Sequence, residues 1–409
     1  MAAHQTCSTQ QPCPVPLTPP DYDPANQDRA VAPDNAMKFV FWAATGVIGY
    51  TYFGYALWLW VRSRWRPRPV RSGPYLPFIS IGLVVRNEAA RLERKMKNLM
   101  ELDYPPDRVE ILLVSDGSTD GTNRLLSELT SVPRVRVILS PEARGKAAGL
   151  NQALASVNGE IVVFMDARQQ VGTDAVRLLM ENFADPEVGC ASGELILGDP
   201  EGPEADKGMG LYWRIEKMIR EMESTSGSVV GATGALYAVR RKLLTPLPAE
   251  TILDDVFIPM QVVHQGARVV LDTRARIWDV PDLGTGREFA RKVRTLGGIY
   301  ELLKLQPWLL TRANPVRFEF ISHKLLRLAI PFALFATLVS SFFLPALIYR
   351  IAMVLQLAFY GLSLWGMFRP KYNPLARASD AAFTFVLLNT AALLAFVNFV
   401  TGRKPAWSR

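Results

Sequence analysis

Cysteine is nearly absent from the 409-residue chain, which has only Cys7, Cys13 and Cys190. Two of these lie in a Pro-rich leading stretch, so no disulfide framework holds a main domain. A metal cluster built from His4, Cys7 and Cys13 competes with the plainer reading of incidental thiols in an unstructured tail. Two nucleotide signatures are also missing. No Gly-x-Gly-x-x-Gly follows the first β-rich run, and no Gly-x-x-x-x-Gly-Lys-Ser/Thr occurs. Their absence argues against dehydrogenase and P-loop chemistry. Finally, the stretch from Pro77 to Thr285 holds no basic run comparable to those at its flanks, although the net charge is +8. Nucleic acid is therefore not an expected partner.

The positive charge gathers beside apolar segments instead. Phe39–Val61 carries no charge and is long enough to cross roughly 30 Å of hydrocarbon, and Arg62, Arg64, Arg66, Arg68 and Arg71 follow it directly. A second basic cluster, Arg287 to Arg327, precedes three further apolar stretches, Leu328–Tyr349, Ile351–Phe368 and Ala381–Thr401. Basic residues flanking spans mark cytoplasmic loops and attract anionic lipid headgroups. The arginines after the first span, with Arg369, Lys371 and Arg377 after the third, place the intervening domain in the cytoplasm. The expectation is a multi-pass protein of the plasma or inner membrane; Arg403, Lys404 and Arg409 fit that orientation poorly. An apolar content of 49% suits a soluble domain joined to a few spanning helices.

Between the spans, β-rich runs alternate with helical spacing. Phe78–Val85, Val109–Ser115, Val135–Leu139 and Glu160–Met165 read as strands. Helices are expected near Glu88–Glu101, Gly121–Leu129, Lys146–Val157 and Asp174–Phe183. This alternation predicts a parallel α/β sheet with ligands beyond the carboxyl ends of its strands. Phe289, Val293, Leu296, Tyr300 and Leu303, set among Arg287, Arg291, Arg294 and Lys304, predict an amphipathic helix lying in the membrane interface. The expected organisation is a disordered tail over 1–36, a transmembrane helix over 37–62 and a cytoplasmic domain over 75–285. Amphipathic helices over 286–325, about three transmembrane helices over 326–401 and a basic tail over 402–409 complete it.

Two carboxylates mark predicted strand ends, Asp116 in Asp116-Gly-Ser-Thr-Asp120-Gly and Asp166 in Asp166-Ala-Arg168. Such groups can face one crevice and hold a divalent metal together with substrate phosphates. The first run reads equally well as a turn with a helix N-cap. Arg144-Gly145-Lys146, followed by Asn151, offers either charge for phosphates or a solvated helix start. Asp254 and Asp255 lie among apolar residues, where carboxylates are costly; one of them suits a general base, and a helix N-cap is the alternative. Arg291 and Arg294 suit diphosphate oxygens or lipid headgroups.

The ordered set resembles the membrane-bound branch of family 2 inverting glycosyltransferases, which includes cellulose, hyaluronan and poly-N-acetylglucosamine synthases. The resemblance is carried by Asn87-Glu88, Tyr104-Pro105, the Ser115 to Asp120 run, Arg144-Gly-Lys-Ala147 with Leu150-Asn151, Asp166-Ala167, Gly231 to Tyr237, Asp254-Asp255 and Arg291-x-x-Arg294. It implies a GT-A (Rossmann-like) nucleotide-sugar domain inserted between transmembrane helices, a UDP-sugar donor and Mg²⁺ or Mn²⁺. It further implies that Asn87, Glu88, Asp116, Lys146, Asp166 and Arg291 bind the nucleotide sugar, with Asp116 on the uracil and Asp166 on the metal. Asp255, with Asp254 beside it, matches the catalytic base, and Arg294 matches the arginine of the final motif. Three positions depart from the pattern: Arg168 stands at the second Asp of Asp-x-Asp, Arg291 at a Gln and Thr295 at a Trp. Arg168 removes one expected metal ligand, Arg291 and Thr295 count against long-chain polymerisation, and an Arg at the Gln position resembles ceramide glucosyltransferases. The expected acceptor is a glycan, with a lipid as the alternative and a catalytically silent nucleotide-sugar-binding scaffold as the rival.

Overall fold

The computed structural model describes residues 24–199, 211–280, 285–368 and 376–403. Cys7, Cys13, Arg369, Lys371, Lys404 and Arg409 lie outside them. The chain opens with α1 (Pro24–Gly49), a π-helical turn at Tyr50–Gly54 and α2 (Tyr55–Trp65). Residues 24–36, expected in a disordered tail, are therefore already helical. They are the leading turns of a long rod, whose apolar part packs along a later apolar helix.

The α/β domain follows the expected alternation closely: β1 (Ile79–Val85), α3 (Ala89–Met100), β2 (Val109–Asp116), α4 (Thr122–Leu129), β3 (Val135–Ser140), α5 (Lys146–Ser156) and β4 (Ile161–Met165). The chain continues through β5 (Gln170–Val171), α6 (Ala175–Glu181), β6 (Val188–Leu197), α7 (Leu211–Ser226), β7 (Leu236–Arg240), α8 (Asp254–His264) and β8 (Arg268–Asp279). One eight-stranded sheet results, in the order β3-β2-β1-β4-β7-β6-β8-β5. Its first four strands are parallel, as expected, but β7 runs antiparallel to both β4 and β6, so the whole sheet is mixed. The strand order reverses between β1 and β4, and open α/β sheets form their ligand crevice at such a point.

Alternate side chains of a strand face opposite sides of the sheet, and both sides here are covered. Ile79, Ile81, Leu83, Ile111 and Leu113 pack with Leu92, Met96 and Leu99 of α3. Leu112, Val114, Val162 and Phe164 pack with Leu150 and Ala153 of α5 and with Val256 and Met260 of α8. Burial on two faces explains why these strands read as continuous apolar runs.

The C-terminal part comprises α9 (Thr285–Leu305), a short α10 (Arg317–Phe320) leading through a π-helical turn at Ile321–Leu325 into α11 (Leu326–Phe343), then α12 (Leu347–Gly366) and α13 (Ala376–Val400). Among the described residues three helices are long and apolar enough to cross a membrane: Arg317–Phe343, Leu347–Gly366 and Ala376–Val400. The Phe39–Val61 stretch is not one of them; the polar lead of α1 and the tryptophans and tyrosines beyond it hold its hydropathy down. The break expected at Arg350 falls instead at Leu344–Ala346, where Pro345 holds Leu344 extended. The apolar stripe of α9 differs too. Val293 is buried and packs, with Phe289, Leu296 and Tyr300, against Ala391 and Ala395 of α13. Tyr300 stacks on Phe399 at 4.9 Å between ring centroids. That face is covered by protein.

A buried polar cluster joins the apolar helices to the α/β domain. His323, in the π-turn before α11, lies 2.7 Å from Glu223 and 3.0 Å from Glu216 of α7. Tyr55 of α2 donates to Glu223 at 2.6 Å, and Arg327 donates to Glu216 at 2.6 Å. Arg62 also pairs with Glu319.

Candidate active site

The crevice is built from the ends of β2 and β4 and the first turns of α5 and α8. Asp116, the last residue of β2, is 3% exposed; its oxygens accept the backbone N–H groups of Arg144 (2.6 Å) and Gly145 (2.9 Å). These amides precede α5, so Asp116 fixes where Lys146 begins that helix. A carboxylate has about four acceptor positions, which leaves capacity for a further donor. The turn reading of the same run applies to Asp120, whose carboxylate accepts the N–H and hydroxyl of Thr122 at the start of α4.

Lys146 Nζ lies 3.2 Å from Asp166 Oδ1, just beyond β4, and 3.2 Å from Asp254 Oδ2, the first residue of α8. A cation in the first turn of a helix opposes the helix dipole, and the two carboxylates compensate. Burial works against the Lys146 charge, but Asp166, Asp254 and Asp255 outweigh it and hold its pKa above the ordinary lysine range. Asp166 remains 40% exposed, open to the crevice, whereas the Asp254 side chain is 8% exposed. Tyr237 of β7 adds a hydroxyl 3.3 Å from Asp254 Oδ2.

Asp255 shares this corner. Burial, then the neighbouring Asp254 charge, push its pKa up to about 6 against the opposing pull of Lys146. The Gly231–Tyr237 loop wraps it. The Asp255 carbonyl accepts the Ala232 N–H at 2.7 Å, and a Cβ at Gly234 would stand 2.9 Å from Asp255 Oδ2. Arg220 of α7 braces that loop through Thr233 Oγ1 (2.9 Å) and Ser192 Oγ (3.2 Å). Nothing in its sequence surroundings singles out Arg220, because the contact needs the mixed half of the sheet.

Asn87 and Glu88 line the adjoining rim between β1 and α3. Asn87, at φ 55°, accepts the Thr119 N–H at 2.8 Å, and Glu88 pairs with Arg91 at 2.9 Å. Arg291 pairs with Glu288 one turn back on α9 at 2.6 Å. Arg294 is half-buried on the same helix, one turn before Gly298. A Cβ at Gly298 would meet Leu253 Cγ at 2.6 Å, and Glu301 accepts the Ile252 N–H at 3.1 Å, so α9 is pressed against the corner that carries Asp254 and Asp255. Asn151 has a structural role, exchanging two hydrogen bonds of 2.8 Å with the Leu247 backbone. Arg168 turns away from Asp166 and pairs with Asp279. Among the described residues no group of three or more His, Cys, Asp or Glu is placed to hold a metal.

Residues 80–246 match the family model described as Glycosyl transferase family 2. Over that stretch the chain is similar to this family, and the fold around it is of the GT-A type. A β-monoglucosyldiacylglycerol synthase from a Nostoc species is 28% identical over 230 residues, covering 54% of this chain and 49% of the relative. A poly-β-1,6-N-acetyl-D-glucosamine synthase from Staphylococcus aureus is 24% identical over 273 residues, covering 64% of each. The chain thus spans about half to two thirds of the length of these curated relatives. In fold it is similar to the mannosyltransferase PcManGT from Pyrobaculum calidifontis, solved in complex with GDP-Man and Mn²⁺. The TM-score is 0.69 at 23% identity, over 89% of this chain and 99% of that one.

Proposed function

We propose that the protein is an inverting glycosyltransferase that moves a hexose or N-acetylhexosamine from a UDP-sugar to a glycan acceptor at the membrane. The observation that carries this reading is the bridge from Lys146 to both Asp166 and Asp254, which gathers three loops into one charged crevice at the strand-order reversal. Asp255 accepts the acceptor hydroxyl proton as that oxygen forms its bond to the anomeric carbon. The bond from that carbon to the UDP oxygen breaks on the opposite face, so configuration inverts in one displacement. A base with a pKa near 6 is largely ionised at neutral pH and still basic enough to take the proton. Asp254, held by Lys146 and Tyr237, keeps Asp255 in place. Asn87, Glu88 and Asp116 line the nucleotide side, and Lys146, Arg291 and Arg294 meet diphosphate charge.

Mg²⁺ binds through one or two carboxylates plus substrate phosphates, so the single donor Asp166 fits a metal that arrives with the nucleotide. Bound there, Mg²⁺ or Mn²⁺ supplies charge neutralisation for the departing diphosphate. Arg168, committed to Asp279, is not a second ligand.

A lipid acceptor is the second reading. It is favoured by the relatives named as β-monoglucosyldiacylglycerol synthases and by Arg291 and Thr295 at the last motif. The α/β domain is assigned to the cytoplasmic side on the arginines that follow α2. Purified protein in lipid nanodiscs, given a panel of UDP-sugars with and without Mn²⁺, tests the whole reading. UDP release with a product of one sugar per lipid, or a ladder of glycan masses, identifies the acceptor. No release from any donor would refute catalysis in favour of a binding scaffold.

A further inference from the structure

A cavity of about 410 Å³ opens beside the crevice, between α3, the turn after β4, the end of β8 and the start of α9. It contains none of Asp116, Lys146, Asp166, Asp254 or Asp255. Among the described residues its charge is lopsided: Arg91, Arg94, Lys95, Arg168 and Arg287 line it against one carboxylate, Asp279. Among the described residues, two of these cations have only neutral hydrogen-bond partners. Arg94 donates to the Gln170 side-chain amide oxygen at 2.6 Å. Lys95 is 2% exposed, and its ammonium donates once, to the Gln169 carbonyl at 2.9 Å, although it has three protons to give.

A buried ammonium without a counter-charge is costly. Burial accordingly pushes the Lys95 pKa down to about 7, and Asp166 opposes that fall only in part. Such a lysine stands beside Arg94, which has no carboxylate partner among the described residues, and open volume in front of the pair lets a ligand meet the charge. Phosphate oxygens suit it, because guanidinium and ammonium donors bind them with charge-assisted hydrogen bonds.

We infer that this pocket is a second anion site, separate from the donor crevice, in which Arg94 and Lys95 bind a phosphate group. Arg287 opens the helix that packs against α13, an apolar helix, so the rim faces the membrane-proximal side of the domain. The phosphate belongs either to a lipid headgroup or to a soluble phosphate, and the chemistry of recognition is the same. The site stands independently of the proposed reaction and is read by binding.

The test uses the full chain in nanodiscs of neutral phosphatidylcholine, with UDP present to fill the donor crevice. Inorganic phosphate is titrated and its ³¹P relaxation followed. Wild type is expected to bind. Arg94→Gln, at an exposed position, and Lys95→Met, which removes a buried charge, are each expected to weaken binding about tenfold or more, with UDP affinity unchanged. Nanodiscs containing phosphatidate separate the sources: if the lipid headgroup occupies the pocket, added phosphate no longer registers; if it still binds, the ligand is soluble. Phosphate binding that is equal in both variants and wild type, or absent from UDP-loaded wild type, overturns the inference.

Discussion

Lys146 and Asp254 each open a helix, α5 and α8, and their charged ends meet at 3.2 Å. Two helix N-termini therefore point into one crevice, and both favour negative charge there. In the proposed reaction this is where the donor diphosphate would meet the Lys146 ammonium.

Asp255→Asn keeps the shape of the corner and removes the proton acceptor. Turnover is expected to fall by about 10²–10⁴, with UDP binding retained. Calorimetric titration with UDP beside a UDP-release assay checks both halves.

The raised pKa of Asp255 fixes the sign of the pH dependence. The carboxylate is the active form, so kcat/KM should fall as pH drops through about 6 and level off above it. Burial and the Asp254 charge both raise that pKa, so Asp254→Asn should move the acid limb to lower pH. A pH profile of the two proteins, with folding monitored by circular dichroism, reads the shift. An unmoved limb would remove Asp254 as its cause.

Lys146→Met leaves Asp254 buried without its cation. Breaking such a pair costs about 3–5 kcal/mol when fully buried, and less here because the lysine is 26% exposed. A lower Tm together with weakened UDP-sugar binding is expected. Thermal unfolding with and without UDP separates the two effects.

Gly298→Val would drive a branched side chain into Leu253, with the first new carbon already 2.6 Å from Leu253 Cγ. The helix carrying Arg294 must then lift from the Asp254–Asp255 corner. A large loss of kcat with the α/β domain still folded is the expected result, measured by turnover and by limited proteolysis of that domain.

The parallel half of the sheet was legible because doubly buried strands are continuous apolar runs and their helices keep helical spacing, as at Ile79–Val85 and Ala89–Met100. The mixed half was not. Strands β6 to β8 pair across long intervals, and their polar positions, such as Ser192 and Glu194, are buried for reasons visible only in three dimensions. Asp116, Lys146 and Asp166 were marked by their placement at predicted element ends, and Asp254 and Asp255 as adjacent carboxylates among apolar residues. Their shared corner needed the fold. The apolar stripe of α9 could not be assigned a partner from the sequence, because an amphipathic stripe has the same pattern whether lipid or α13 covers it. The basic cavity around Lys95 escaped notice because its cations come from three separate segments.

The cover that α13 places over α9 also ties an apolar helix to the proposed chemistry. Arg294 lies on a helix whose apolar stripe rests on Ala391 and Ala395 of α13. If Arg294 steadies the diphosphate as proposed, its seating depends on α13 being docked, so loosening that contact would weaken donor handling from a distance.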